Sequence, residues 1–66
     1  MSVAKIIEVS AESSSGFQDA IQKGIERAQE TVQNIQGAWI NEQQVVVKEG
    51  KVSSYRVNMK VTFLLK

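Results

Sequence analysis

The chain predicts an α+β fold of β-α-β-β order, and three features of its pattern carry that prediction. Apolar residues recur three and four apart after Phe17, VSSYRVNMKVTFLL alternates between apolar and polar positions, and a Glu-Gly pair separates two β-branched runs. The predicted architecture is a three-stranded antiparallel sheet curled around one amphipathic helix.

KIIEVS is short and rich in β-branched residues, which marks a first strand. In the next segment Phe17, Ala20, Ile21, Gly24, Ile25, Ala28, Val32 and Ile35 line one helical face, and Gln18, Asp19, Gln22, Lys23, Glu26, Arg27, Gln29, Glu30 and Gln33 fill the other. This spacing predicts a helix from Phe17 to Ile35, roughly 28 Å long at 1.5 Å per residue. Its start lies in ESSSGFQ, where Ser15 and Gln18 have capping-box spacing and Ser13 is an alternative cap. Gly24 costs about 1 kcal/mol relative to Ala in a helix interior, so a close neighbour is expected against it. Beyond the helix, AWINEQQVVV leads into KEGK, where Glu49-Gly50 forms a two-residue hairpin turn although Glu suits the left-handed first position less well than Asn or Asp. Tyr55, Val57, Met59, Val61, Phe63 and Leu65 then face the helix, and Ser54, Arg56, Asn58, Lys60 and Thr62 face away. Each hairpin strand spans roughly 40 Å, so the sheet extends past the helix.

At 66 residues the chain makes one domain, residues 1–66, near the lower limit at which a core supports folding unaided. It has no Cys for disulfides, and without Cys or His it lacks the usual ligands of a structural zinc site. Association is the remaining support. One helix covers one face of a sheet, whereas the consecutive Val45, Val46 and Val47 point to both, so an apolar strip with Val46 at its centre is left for another copy. Eight Lys and Arg against seven Asp and Glu give a net charge of +1, no footprint for nucleic acid or an anionic membrane. The apolar run in MSVAKIIEVS is too short for a signal peptide or a membrane span, so the expected location is cytoplasmic.

The strand KIIEVS, the serine-rich helix start with Phe17, Asp19 and Ala20, the IERA segment and the terminal VNMKVTF strand resemble the dodecins, across nearly the whole chain. The resemblance implies a hollow homododecamer of βαββ subunits with cubic symmetry. It also implies that flavin, as riboflavin or FMN, is held in pairs between tryptophan side chains near two-fold axes. The implied role is storage or shielding of flavin, with the indole quenching its excited state, and not turnover of a substrate.

Three positions depart from the family's contact pattern. Gly37 stands where flavin-binding dodecins have their tryptophan, Gln44 where they have a strand arginine, and Arg56 where a glutamine reads the flavin edge. Trp39, the chain's one tryptophan, lies two residues further on, the same side of the strand but about 6.6 Å along it. Two readings follow. In one, Gly37 leaves room for a flat ligand, Trp39 stacks on it, and Gln44 with Arg56 exchanges the family's polar roles. In the other, the shell has lost its flavin and Trp39 fills a subunit contact.

Other groups point to simpler roles. Arg56, Asn58 and Lys60 share a strand face that suits an anion or RNA, or more simply a solvated surface or inter-subunit ion pairs, and symmetry could gather carboxylates or cations into an anion or metal site. Glu42 has no second carboxylate or His placed beside it, and Glu26 and Glu30 form a polar helix face. With no phosphate loop or zinc-hydrolase spacing, the expected function is non-enzymatic.

Overall fold

The computed structural model describes residues 3–65. Met1, Ser2 and Lys66, the ends of the expected domain, lie outside the described residues. The elements are β1 (Val3–Ser13), α1 (Phe17–Gln29), β2 (Ile35–Lys48) and β3 (Lys51–Leu65). They form an antiparallel sheet of order β1-β3-β2. The expected β-α-β-β order and three-stranded sheet are present, with the last strand in the middle.

β3 holds the core because it alone has a neighbour on each side and the helix above it. Val57, Met59 and Val61 are fully buried and pack with Ala20 of α1, while Ile7, Val9 and Ala11 of β1 and Ile21, Ile25 and Ile35 close around them. Phe17 meets Tyr55 edge-to-face at 5.1 Å between ring centroids, which fixes the helix start on β3. Leu65, expected in the same apolar row, lies past the end of the helix and is half exposed.

α1 is shorter than its periodicity implies, 13 residues that end at Gln29. The N–H groups of Thr31 and Val32 both turn back to the Ala28 carbonyl, and the Thr31 hydroxyl donates to the same oxygen at 3.1 Å. These bonds tighten the last turn, and Asn34 at φ 63° then sends the chain into β2. Ile35 keeps the apolar spacing because it packs on the same core from the strand.

The helix start also differs from expectation. Gly16 is the N-cap, and no side chain caps the first turn. The serine in use is Ser13, whose hydroxyl accepts from the Ser15 N–H at 2.9 Å and donates to the Asp19 carboxylate. Ser15 does not cap because the chain reaches the helix through Gly16 at φ 154°, a conformation open to glycine. At the hairpin, Glu49 and Gly50 have φ 53° and 77°, so the two-residue turn forms with Glu in the left-handed position.

Gly24 has the close neighbour expected of it. A Cβ there would collide with Met59 Cε and lie 3.1 Å from Ala11 Cβ. Because Met59 is fully buried, it has little room to retreat. Gly24→Val should lower stability by about 1–3 kcal/mol through overpacking, read as a lower urea midpoint than that of Gly24→Ala.

Candidate functional site

α1 packs on β1 and β3, so the opposite face of the sheet has no cover within the subunit. Strand register arranges that face in four rows running from β1 through β3 to β2. They are Glu12, Arg56 and Gln44; Ser10, Asn58 and Glu42; Glu8, Lys60 and Trp39; and Ile6, Thr62 and Gly37. All four residues singled out in the sequence therefore share one face. They fall at two ends of it: Gly37 and Trp39 near one end, Gln44 and Arg56 opposite each other near the other. Lys60 and Arg56 are four residues apart on β3, about 13 Å along the strand.

Trp39 is 60% exposed on β2, a strand with little cover on either side. Irregularities in register at Gln36 and Asn41 bracket it. Gly37 has only the Thr62 hydroxyl near the position of a missing Cβ, at 3.8 Å, and that hydroxyl donates to the Gly37 carbonyl at 3.1 Å. A side chain would fit at residue 37. Its absence opens a notch on the same side of the strand as the indole. Among the described residues no closed cavity is formed, so any enclosed ligand site needs a second surface.

Arg56 is already engaged. Its Nε and Nη2 donate to Glu12 Oε1 at 2.9 and 2.8 Å, and Ser54 donates to Glu12 Oε2 at 3.1 Å. Ser54, which the alternation had placed on the face away from the helix, is buried within this network. The Arg56 guanidinium, and then the Ser54 hydroxyl, hold the Glu12 carboxyl below its usual range. Glu8 turns to Asn58, whose amide donates to it at 3.3 Å. Neither glutamate was singled out from sequence, because a first strand ended at Ser10 leaves Glu12 without a partner. A usable signal existed: Glu8 and Glu12 are four apart on one strand, as are Lys60 and Arg56 on another, and antiparallel pairing opposes them.

The Dodecin family model matches residues 3–66. The chain belongs to the dodecin family. It is 29% identical to calcium dodecin of Mycobacterium tuberculosis over 66 residues, all of this chain and 93% of that one. The crystal structure of that calcium-chelating protein, described as having a novel calcium-binding site, aligns with a TM-score of 0.84 at 26% identity over 97% of this chain and 91% of its own. The dodecin of Streptomyces davaonensis aligns with a TM-score of 0.94 at 28% identity over 98% and 96% of the two chains. A T. thermophilus dodecin variant gives 0.94 at 29% over 100% and 98%. Dodecins are small homododecameric binding proteins, typically of flavins. Among the described residues of this dodecin, no helix is long and apolar enough to cross a membrane.

Two carboxylates of this dodecin should govern its response to acid. Asp19, like Glu12, is held below its usual range, by the Ser13 hydroxyl first and then by Lys23, whose ammonium lies 3.1 Å away. A carboxylate with a folded pKa below its unfolded one stabilises the fold in full above the unfolded value and loses that contribution as pH falls through the folded one. The urea midpoint should therefore fall as pH drops below the ordinary carboxylate range, about 4 to 4.5. The double variant Glu12→Gln/Asp19→Asn should be less stable than the parent at neutral pH and should lack the part of the drop that these groups cause.

Proposed function

We propose that this chain assembles as a hollow homododecamer that binds flavin on its helix-free sheet faces and stores or shields it, without catalysing a reaction. The observation that carries this reading is Trp39, a large aromatic residue standing 60% exposed on an edge strand beside the open side of Gly37. An isoalloxazine ring is flat and apolar on its faces. An indole gives it a stacking surface worth about 1–3 kcal/mol, by analogy with bases on aromatic side chains. Two copies related by a two-fold axis supply a second indole and the wall that one subunit lacks. Close contact between indole and ring then allows electron transfer to quench the excited flavin.

Self-assembly has its own support. The Cα radius of gyration is 13.5 Å, against about 11 Å for a compact chain of this length. The extents are 51 × 19 × 14 Å, and Val47 is 57% exposed on β2. Val46, taken from sequence as the centre of the outward strip, is the better covered of the three valines; Val45 and Val47 are more open. The register irregularity between Val46 and Val47 breaks simple alternation at Val47. Val47→Lys should dissociate the assembly and leave largely unfolded subunits, as sedimentation velocity with circular dichroism would read. A folded monomer would contradict the need for association.

Calcium, which the M. tuberculosis relative chelates, has less to hold it within one subunit. Among the described residues no three His, Cys, Asp or Glu side chains gather to hold a metal ion. Glu12 is committed to Arg56, and Asp19 to Ser13 and Lys23. The proposed location is the cytoplasm, where flavin is at hand.

Fluorescence titration of riboflavin with the assembled protein and with Trp39→Ala tests the flavin reading. The expected result is saturable quenching near one flavin per subunit, weakened at least tenfold by the substitution. Absence of quenching at concentrations well into the micromolar range would assign Trp39 to a subunit contact instead.

A further inference from the structure

We propose that Lys60, and not Arg56, supplies the positive charge of this face to a bound ligand, so that the ligand stacked on Trp39 is a planar aromatic carrying an anion, FMN in preference to riboflavin. This inference rests on the flavin reading above and adds to it the chemical form of the ligand.

Charge alone would favour Arg56, which occupies a position where the family's flavin contacts lie. The hydrogen bonds argue otherwise. Both Nε and Nη2 of Arg56 are held by Glu12, so the pair presents little net charge, and its position is about 13 Å along β3 from the row that contains Trp39.

Lys60 differs on each count. It stands directly opposite Trp39 in the register, on the same face of neighbouring strands, where Cβ atoms lie about 4.5–5.5 Å apart. Its neighbour on the other side is Glu8, whose carboxylate stays charged, accepts from the Asn58 amide at 3.3 Å and makes no ion pair with Lys60. Among the described residues no carboxylate lies within ion-pairing distance of Lys60; the ion pairs found are Lys23–Asp19, Arg27–Glu30 and Arg56–Glu12. An exposed indole thus has beside it an ammonium that no carboxylate of the described residues holds in an ion pair.

A flavin with its ring on the indole extends its ribityl chain away from the stack. In FMN that chain ends in a phosphate of about −1.5 to −2 charge at neutral pH. Lysine is suited to such a group, because its ammonium is a point charge on a flexible stem and can follow a phosphate that the stack does not fix rigidly. Since Lys60 is solvent-exposed, the gain is of the size of a surface ion pair, up to about fivefold in affinity. It should also weaken with salt, as the Debye length contracts from about 30 Å at 0.01 M to about 3 Å at 1 M.

Quenching titrations of FMN and of riboflavin on the assembled protein decide this. The parent should bind FMN more tightly by about fivefold at low ionic strength, with the gap closing at high salt. Lys60→Gln should close it at low salt while leaving riboflavin within about twofold. The double variant Glu12→Gln/Arg56→Gln, which removes the neighbouring ion pair without changing net charge, should keep it. The salt titration needs no variant and stands even if a substitution disturbs assembly. Riboflavin bound as well as FMN by the parent, or a gap abolished by the double variant and kept by Lys60→Gln, would overturn the assignment to Lys60 while leaving the stacking reading intact. Quenching of neither flavin would overturn both.

Discussion

Every other property of this chain follows from a mismatch of lengths. α1 is 13 residues, about 20 Å, and it lies over β1 and β3 of a molecule 51 Å long. The hydrophobic effect is satisfied only beneath it, where Val57, Met59 and Val61 are dry. The ends of the long strands and almost all of β2 stay wet in a lone subunit. A chain of this size has no second helix to lay over them and no Cys to hold them by covalent bonds. Contact with other copies is what remains, and a site formed by such contacts is also where a ligand can be enclosed from two sides.

The helix-free face divides its labour accordingly. At the Glu12 and Arg56 end, hydrogen bonds tie β1 to β3 and leave little charge unspent. At the Trp39 end Thr62 is tied to the Gly37 carbonyl, and Lys60 is in none of the ion pairs among the described residues. Close superposition on dodecins from Streptomyces and Thermus, and also on a calcium dodecin, shows that this backbone is common to them. With the backbone held in common, what distinguishes one dodecin from another must be sought in side chains.

Much of the fold could be read from residue periods, because a period reports which residues face a core. The alternation of β3, the Glu49-Gly50 turn and the tight approach at Gly24 are all local statements of that kind. The end of α1 was not legible, since Ile35 satisfies the helical period while belonging to a strand on the same core. The helix cap falls at Gly16, one residue past Ser15, and the serine in use, Ser13, acts through Asp19, six positions on, and not through the backbone of the first turn. At the candidate site, Gly37, Trp39, Gln44 and Arg56 could be named from a family pattern. Their separation into two groups, and the engagement of Arg56 by Glu12, depend on a pairing between residues 44 positions apart that no local pattern contains.

The place of β3 in the sheet bears on how the protein is made. Both outer strands pair only with β3, yet β1, α1 and β2 all precede it in the chain. As the polypeptide emerges from the ribosome, three elements appear without the strand that joins them, and the helix has only β1 of the two strands it packs on. Ladder formation waits for the last element and must then close contacts as distant as Val3 with Leu65. Such late closure is slow and leaves β-rich segments unpaired in the interval. Newly synthesised subunits are therefore most vulnerable to aggregation and proteolysis before they meet one another, and the yield of assembled shells should depend on the rate of synthesis as much as on final stability.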